Sequence, residues 1–528
     1  MAKFLLTGFY FITLLGCSTQ LSSMQSPNSV TSEVQNDPNY PLALAFDTLL
    51  KNGSDAAAKT TVDSNCKTAS RSPLCSPLRK IKALKTLLSQ KSAVFKPSGV
   101  KPLAPVAPLW KNDKIANWKN LRQASIPNLL KGLLPLSQEQ LSKIAKMATE
   151  EKRCPNNIAI AVAATLEDYL PDSTLYPKLA SLYEKGGLCT KQSPADRENF
   201  LTRSGLFYFL TKDFSKAVKV LSKVKPTDAY SGRTAYWLYR SKKAMSDSAG
   251  VAQALNRLAT QHRFSFHNLM ASQQENREPI PEFSKSLTFP ERSKKFKQFN
   301  NDIQSIEILL KLGFEESAHL IVDWLLTQPK LLEAGLRVYL ANLGDPHAKV
   351  VQMPGVLMFN PELISKESIS INFPQAFFPL FEKHRGRVSP YLLLSIARRE
   401  SSFNPKAVSP ANAQGLLQMN PETVKVLYPS DHFNLLDPET NISIASKYFS
   451  KVLDEMGGDL PLTLAGYNAG EEQARSWGKR YPREDKILWI DLVPYRETRD
   501  YIANVLSTYY WYRKIYENNS NFSELLSK

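Results

Sequence analysis

Apolar residues along the middle of the chain return at three- and four-residue intervals, the spacing of helices that bury one face. From about Trp110 to Leu343 this pattern predicts successive amphipathic helices, over 157–166, 175–184, 195–210, 214–224, 230–245 and 251–260 among others. Gly186-Gly187 and Pro226 read as short breaks between some of them. The stretch 206–221 comes nearest to a tetratricopeptide-like helix pair, yet no fixed period holds. The expectation is an irregular helical array in which each pair covers the apolar face of its neighbour. Residues 352–374 carry few helical signals and read as a connector. A second helix-rich segment, from about 377 to 516, is punctuated by Asn404-Pro405, Ser409-Pro410, Asp437-Pro438 and Gly457-Gly458.

One helix of that second segment breaks the polarity rule. Ser389 and Pro390 form a favourable start, and Leu392, Leu393, Ile396 and Ala397 make an apolar stripe. Glu400 continues the stripe, whereas Arg398 and Arg399 fall on the other side and read as a solvated face. Burial and the negative end of the helix dipole both raise a carboxyl's pKa. A glutamic acid that keeps its proton near neutral pH is suited to general-acid cleavage of a glycosidic bond.

The N-terminus changes the picture of compartment. Met1-Ala2-Lys3 precedes an apolar run from Phe4 to Leu15, too short for a lasting membrane span and shaped like an export signal. Leu14-Leu15-Gly16-Cys17 resembles the lipobox of bacterial lipoproteins, with Cys17 as the lipidated residue and Ser18 favouring the outer membrane. Residues 18 to about 40 read as a tether, and 96–108, with four prolines, as another soft stretch. Cys66, Cys75, Cys154 and Cys189 remain, an even number suited to an oxidising periplasm; local pairing is expected, though three connectivities are open. With 528 residues, two or more domains are expected. The charge of +18, from 67 Lys+Arg against 49 Asp+Glu, fits an anionic polymer or membrane surface. No zinc spacing, phosphate-cradling loop or RNA-binding motif accompanies it, so neither metal nor cofactor nor nucleic acid is expected.

Three further blocks carry a resemblance. Glu400-Ser401 is followed by Gly415-Leu416-Leu417-Gln418-Met419-Asn420-Pro421, then Ala465-Gly466-Tyr467-Asn468-Ala469-Gly470, then Tyr495-Arg496-Glu497-Thr498-Arg499. In this order and spacing they resemble the C-terminal domain of the soluble lytic transglycosylases, a lysozyme-like fold. The preceding array, with Phe264–Ala271, resembles the superhelical domain of the large members. The resemblance implies an all-α protein: signal peptide 1–17, tether and partly helical region 18–109, superhelix 110–350, linker 351–374 and catalytic domain 375–528. It implies Glu400 as the sole catalytic acid, cutting the β-1,4 bond between N-acetylmuramic acid and N-acetylglucosamine of peptidoglycan into 1,6-anhydro ends. Ser409, Gln418, Asn420, Tyr467, Asn468 and Glu497 match positions along the saccharide groove, with Tyr467 placed to orient Glu400 or the acetamido group. Two departures stand out: Asn412 where the family often has Gly, and Asn420 where Met is common. The aromatic run Tyr501, Tyr509, Tyr510, Trp511 and Tyr512 reads as core packing. The alternatives are a lysozyme-type hydrolase using Glu497 as second carboxylate and a wall-binding scaffold without catalysis. Implied partners are glycan strands, the membrane through the lipid, and cell-wall synthesis or regulatory proteins.

Overall fold

A computed structural model describes residues 32–52, 55–67, 72–78, 80–91, 110–111, 114–115, 118–121, 123–189, 193–224, 232–284, 299–328, 333–519, 521 and 526. Cys17 and the segment before it lie outside these residues. The described chain is helical apart from a two-residue ribbon, Trp110–Lys111 against Lys114–Ile115. Among these residues no helix is long and apolar enough to cross a membrane.

The array starts with helices Gln138–Glu150, Asn157–Leu166, Tyr176–Leu188 and Pro194–Leu210, each packed on the next or next but one. Polar residues at the turns fix where helices begin: Ser193, Asp213, Asp247 and Ser265 each accept a backbone N–H from the first turn of the helix that follows. Gly186 and Gly187 do not break the array as the sequence suggested. They lie in the last turn of Tyr176–Leu188, where a Cβ would come within 2.3 Å of Ile160 Cγ1 and 2.9 Å of Leu201 Cδ2. Close approach of two neighbouring helices, and not a turn, requires them. The cysteines pair locally: Cys154 with Cys189 ties the start of Asn157–Leu166 to the end of Tyr176–Leu188, and Cys66 is joined to Cys75.

Helices Tyr40–Asn52 and Ile81–Lys91 share a core with Asn300–Lys311 and Glu315–Leu326, in which Phe46, Leu84, Ile306 and Leu325 are fully buried. Polar contacts fix the register. Lys80 Nζ donates to both oxygens of the buried Asp302 at 2.6 and 2.7 Å, and Ser317 Oγ donates to Asp47 at 2.7 Å.

The stretch read as a sparsely helical connector holds two helices, Pro346–Phe359 and Lys366–Asn372. Pro354 sits inside the first of them. That proline forgoes one backbone bond, while Met353, Val356 and Leu357 bury the face around it.

The C-terminal domain comprises Phe378–His384, Pro390–Ser401, Pro421–Leu427, Pro438–Glu455, Leu460–Ala469, Glu471–Arg480, Lys486–Leu492 and Arg496–Tyr516. The final 21-residue helix runs against both Pro390–Ser401 and Leu460–Ala469 and also meets Phe266–Gln274 of the array. Tyr510, Trp511 and Tyr512 are core residues, as their spacing implied. Buried ion pairs join the array to this domain. Asp491 accepts from Arg233 Nε and Trp237 Nε1 at 2.6 Å each and contacts His267 Nε2 at 2.8 Å. Glu167 receives Arg203, Tyr183 and Tyr481 together. Such directional, desolvated contacts permit one docking geometry, because a displaced partner would leave a buried charge unmatched. Burial by itself would raise the Asp491 pKa, but His267 and Arg233 together outweigh it and hold the carboxyl far below its ordinary range.

Candidate functional site

Glu400 lies in the last turn of Pro390–Ser401. Ser402 and Phe403 both take positive φ, 51° and 64°, so the chain leaves the helix sharply and the acid sits at its lip. Ser401 Oγ donates to Leu416 O at 2.8 Å, latching that lip onto the next loop. The Glu400 side chain is closely surrounded by protein yet still touches solvent. Burial raises its pKa from 4.5 to about 7; the Tyr501 hydroxyl and the Arg399 charge pull it down, and the charge of Glu497 adds to the rise. Tyr501 is directed at the carboxyl without the full geometry of a hydrogen bond, and its own pKa stands well above 10 for want of solvent.

The two arginines beside Glu400 separate. Arg399 is exposed, as expected. Arg398 is not: it donates to the backbone and side-chain oxygens of Asn372, lies 4.8 Å from the Phe373 ring, and burial lowers its pKa to about 10. The position faces the helix Lys366–Asn372, which the sequence did not announce.

The loop 404–420 folds over the lip as a compact knot. Val408 bridges to Gln414 and Gln414 to Met419. Ser409 Oγ accepts from Ala413 N at 3.0 Å and closes a tight turn. Asn412 within that turn has φ 64°, a conformation glycine adopts freely and asparagine tolerates, so the departure from Gly leaves the turn intact. At Gly415, φ is 79° and a Cβ would meet Leu435 O at 2.2 Å, which makes glycine obligatory. Gln418 Nε2 donates to Ala407 O and Gly415 O at 3.1 and 2.9 Å, so this amide nitrogen braces the loop. Asn420 Oδ1 accepts from Glu422 N at 2.8 Å, starting the helix Pro421–Leu427.

Tyr467 stands on Leu460–Ala469, its hydroxyl donating to Leu417 O at 2.8 Å. Of the two expected partners, Glu400 or a substrate acetamido group, the first is not hydrogen-bonded to this hydroxyl. The two are still close enough that the Glu400 charge helps push the Tyr467 pKa up, behind the larger effect of burial. Asn468 Oδ1 accepts from Thr498 Oγ at 2.7 Å. Glu497 is exposed in the first turn of the final helix. Tyr467 and Glu497 thus each lie within electrostatic reach of Glu400, with Asn468 tied to the same final helix as Glu497.

Sequence reasoning passed over three residues. Tyr501 was read only as core packing, although its spacing of four from Glu497 places both on one helix face. Asn441 is fully buried: its Oδ1 accepts from Leu417 N at 2.8 Å and its Nδ2 donates to Gln414 O and Leu435 O at 2.9 Å each. An asparagine on the buried face of an otherwise amphipathic helix was the available signal. Thr498, the partner of Asn468, lay in the quoted block without a role.

An acid held protonated near neutrality among amide side chains can deliver a proton to a leaving oxygen and take one back. Residues 379–490 match the family model described as the transglycosylase SLT domain. Soluble lytic murein transglycosylase of Salmonella typhimurium is 38% identical over 151 residues, 27% of this chain and 23% of that protein. The Escherichia coli K12 protein of the same description gives the same figures. The chain's match therefore spans about a quarter of the length of these relatives. Among solved structures, an inactive mutant of lytic transglycosylase Slt from Pseudomonas aeruginosa superposes with a TM-score of 0.53 and 17% identity, covering 91% of this chain and 78% of that one. That likeness establishes the fold.

Proposed function

We propose that this chain, whose residues 379–490 form a transglycosylase SLT domain, is a lytic transglycosylase of peptidoglycan. Its substrate is the β-1,4 bond between N-acetylmuramic acid and N-acetylglucosamine. The observation that carries the reading is the nearly enclosed Glu400 carboxyl at the end of its helix, with its pKa raised by burial to about 7. Protonated, it donates to the glycosidic oxygen as the C1–O bond breaks. The substrate's own acetamido carbonyl stabilises the cationic C1. The muramoyl C6 hydroxyl then attacks C1, and its proton returns to Glu400 as the 1,6-anhydro ring closes. Water is not consumed, so one carboxyl suffices.

Around it, the assignment of groove roles follows the hydrogen bonds left over. Gln418 offers Oε1, Asn468 its amide nitrogen and Ser409 its hydroxyl proton to sugar hydroxyls and N-acetyl groups. Tyr467 positions the 417–419 strand through Leu417, and Asn420 acts through the helix start that it caps. Glu497 lies on the groove wall. Its charge reaches Glu400, which keeps a second reading in play: a hydrolase in which Glu497 activates water. Mass spectrometry of muropeptides released from purified wall decides. Anhydro-muramoyl ends support the proposal, reducing ends support hydrolysis, no release by the wild type leaves only a binding scaffold, and undiminished release by Glu400→Gln would remove Glu400 from the chemistry. The export signal and Cys17 further support a periplasmic protein anchored by lipid to the outer membrane, testable by the mass of the mature N-terminus.

A further inference from the structure

The helix Pro346–Phe359 enters two hydrophobic cores. Its Ala348 belongs to the core that Tyr40–Asn52 and Glu315–Leu326 share. Val350, Met353 and Leu357, further along, belong to the core that also holds Leu394 and Ile396 of the helix carrying Glu400. The start of Pro346–Phe359 is well fixed. Asp345 accepts from Ala348 N at 2.7 Å, and Pro346 takes the first helical position, where its missing N–H costs nothing. The next residue is His347. Its ring Nδ1 lies 3.0 Å from Ser402 O, 55 positions along the chain. A carbonyl oxygen only accepts, so Nδ1 carries the proton and donates. The neutral ring bonded this way and the charged ring both hold that proton, so the contact outlasts a change of pH.

Ser402 is the first residue past the helix that carries Glu400. It and Phe403 hold positive φ, which is costly for a residue with a Cβ and persists only where the surroundings impose it. Contacts from beyond the helix impose it here. Ser401 Oγ is bonded to Leu416 O, Phe403 is buried, and His347 holds Ser402 O. Among the described residues, the His347 bond is the only hydrogen bond made to that carbonyl. The last turn of a helix has carbonyls without partners inside the helix, so its end moves unless the exit is tied down. We infer that His347 is a positioning residue for the reaction: by clamping Ser402 O from outside the catalytic domain, it fixes the depth at which the Glu400 carboxyl sits. Its bearing on cleavage rests on the function proposed above.

The clamp also gives the other core a hold on the acid. His347 and Ala348 are neighbours on one capped turn, so a displacement of Tyr40–Asn52 and Glu315–Leu326 is passed to the exit of the Glu400 helix. Loosening that exit admits water to Glu400. Because burial is the chief cause of its raised pKa, the value should then fall toward 4.5. Tyr501, Arg399 and Glu497, the groups that act on this carboxyl, are untouched by a change at position 347.

Two substitutions in the full chain separate the donor from the ring. His347→Phe keeps a ring and loses the N–H, whereas His347→Asn loses the ring and offers an amide N–H close to the place of Nδ1. Titration of the Glu400 carboxyl by carbon-13 NMR, with Glu400→Gln to assign the signal, reads its surroundings without any bond cleavage. In His347→Phe the Glu400 pKa should drop by about half a pH unit or more, and in His347→Asn it should stay at the wild-type value. On soluble glycan strands kcat should fall at least about fivefold in His347→Phe, with KM little changed, and recover in His347→Asn. An unchanged Glu400 titration in His347→Phe would overturn the proposal. So would equal losses in both variants with lowered melting temperatures, since the histidine would then only fill space. If the wild type releases no anhydro-muramoyl ends, the function proposed above fails, while the NMR titration still judges the clamp.

Discussion

Replacing Glu400 with glutamine removes the one group whose burial is costly only when it is charged. Its folded pKa is about 7 against 4.5 for an ordinary glutamate. By linkage, a carboxyl that holds its proton more tightly when folded favours the fold most below pH 4.5 and loses that contribution as pH rises to about 7. The displacement is equivalent to about 3 kcal/mol at 1.36 kcal/mol per pH unit, an upper value because the groove admits some water. Glutamine matches the shape of the protonated acid and does not titrate. Unfolding of the variant should therefore track wild type near pH 4.5 and be harder by up to about 3 kcal/mol at pH 8. Urea midpoints at several pH values, with hydrogen exchange of Pro390–Ser401 to localise the effect, measure it. A difference between the two proteins that is flat from pH 4.5 to 8 would refute the reasoning. Wall cleavage by the same variant should fall by at least about 100-fold, the lower end of what a positioned general acid contributes.

Wild-type cleavage should decline as pH rises through about 7, since the reaction starts from protonated Glu400. Tyr501→Phe removes a group that lowers this pKa, so the alkaline limb of the pH–rate profile should move upward; a downward move would contradict the assignment of Tyr501. Asn441→Ala deletes three hydrogen bonds to the 414–435 backbone and should cost about 3 kcal/mol. Proteolysis within 404–420 should accelerate in that variant, and unaltered cleavage of the loop would show that Asn441 does not brace it.

The two helical segments, and the acid on the apolar stripe, were legible because helix periodicity is local. The helix Asn157–Leu166 was bounded to the residue in advance, since its apolar run and flanking polar residues coincide. What stayed hidden depended on partners far away in sequence. Arg398 looks solvated in its own helix and is buried only because Asn372 and Phe373 come to meet it. Tyr501 escaped notice for the same reason: which hydroxyl faces Glu400 is set by how three helices cross, not by any single run of residues. Gln418 was chosen as a sugar ligand from its block, yet half of its hydrogen-bonding capacity is absorbed by a loop whose shape the sequence did not reveal.

The shared core of the first and later helices has a bearing on biogenesis. Ser317 reaches back 270 positions to Asp47, and Lys80 reaches forward 222 positions to Asp302. A chain made from its amino end presents Phe46 and Leu84 long before their cover emerges. Loop closure over such a span is slow compared with forming a neighbouring helix pair. The order of synthesis thus leaves an oily early segment uncovered until about residue 326 has emerged.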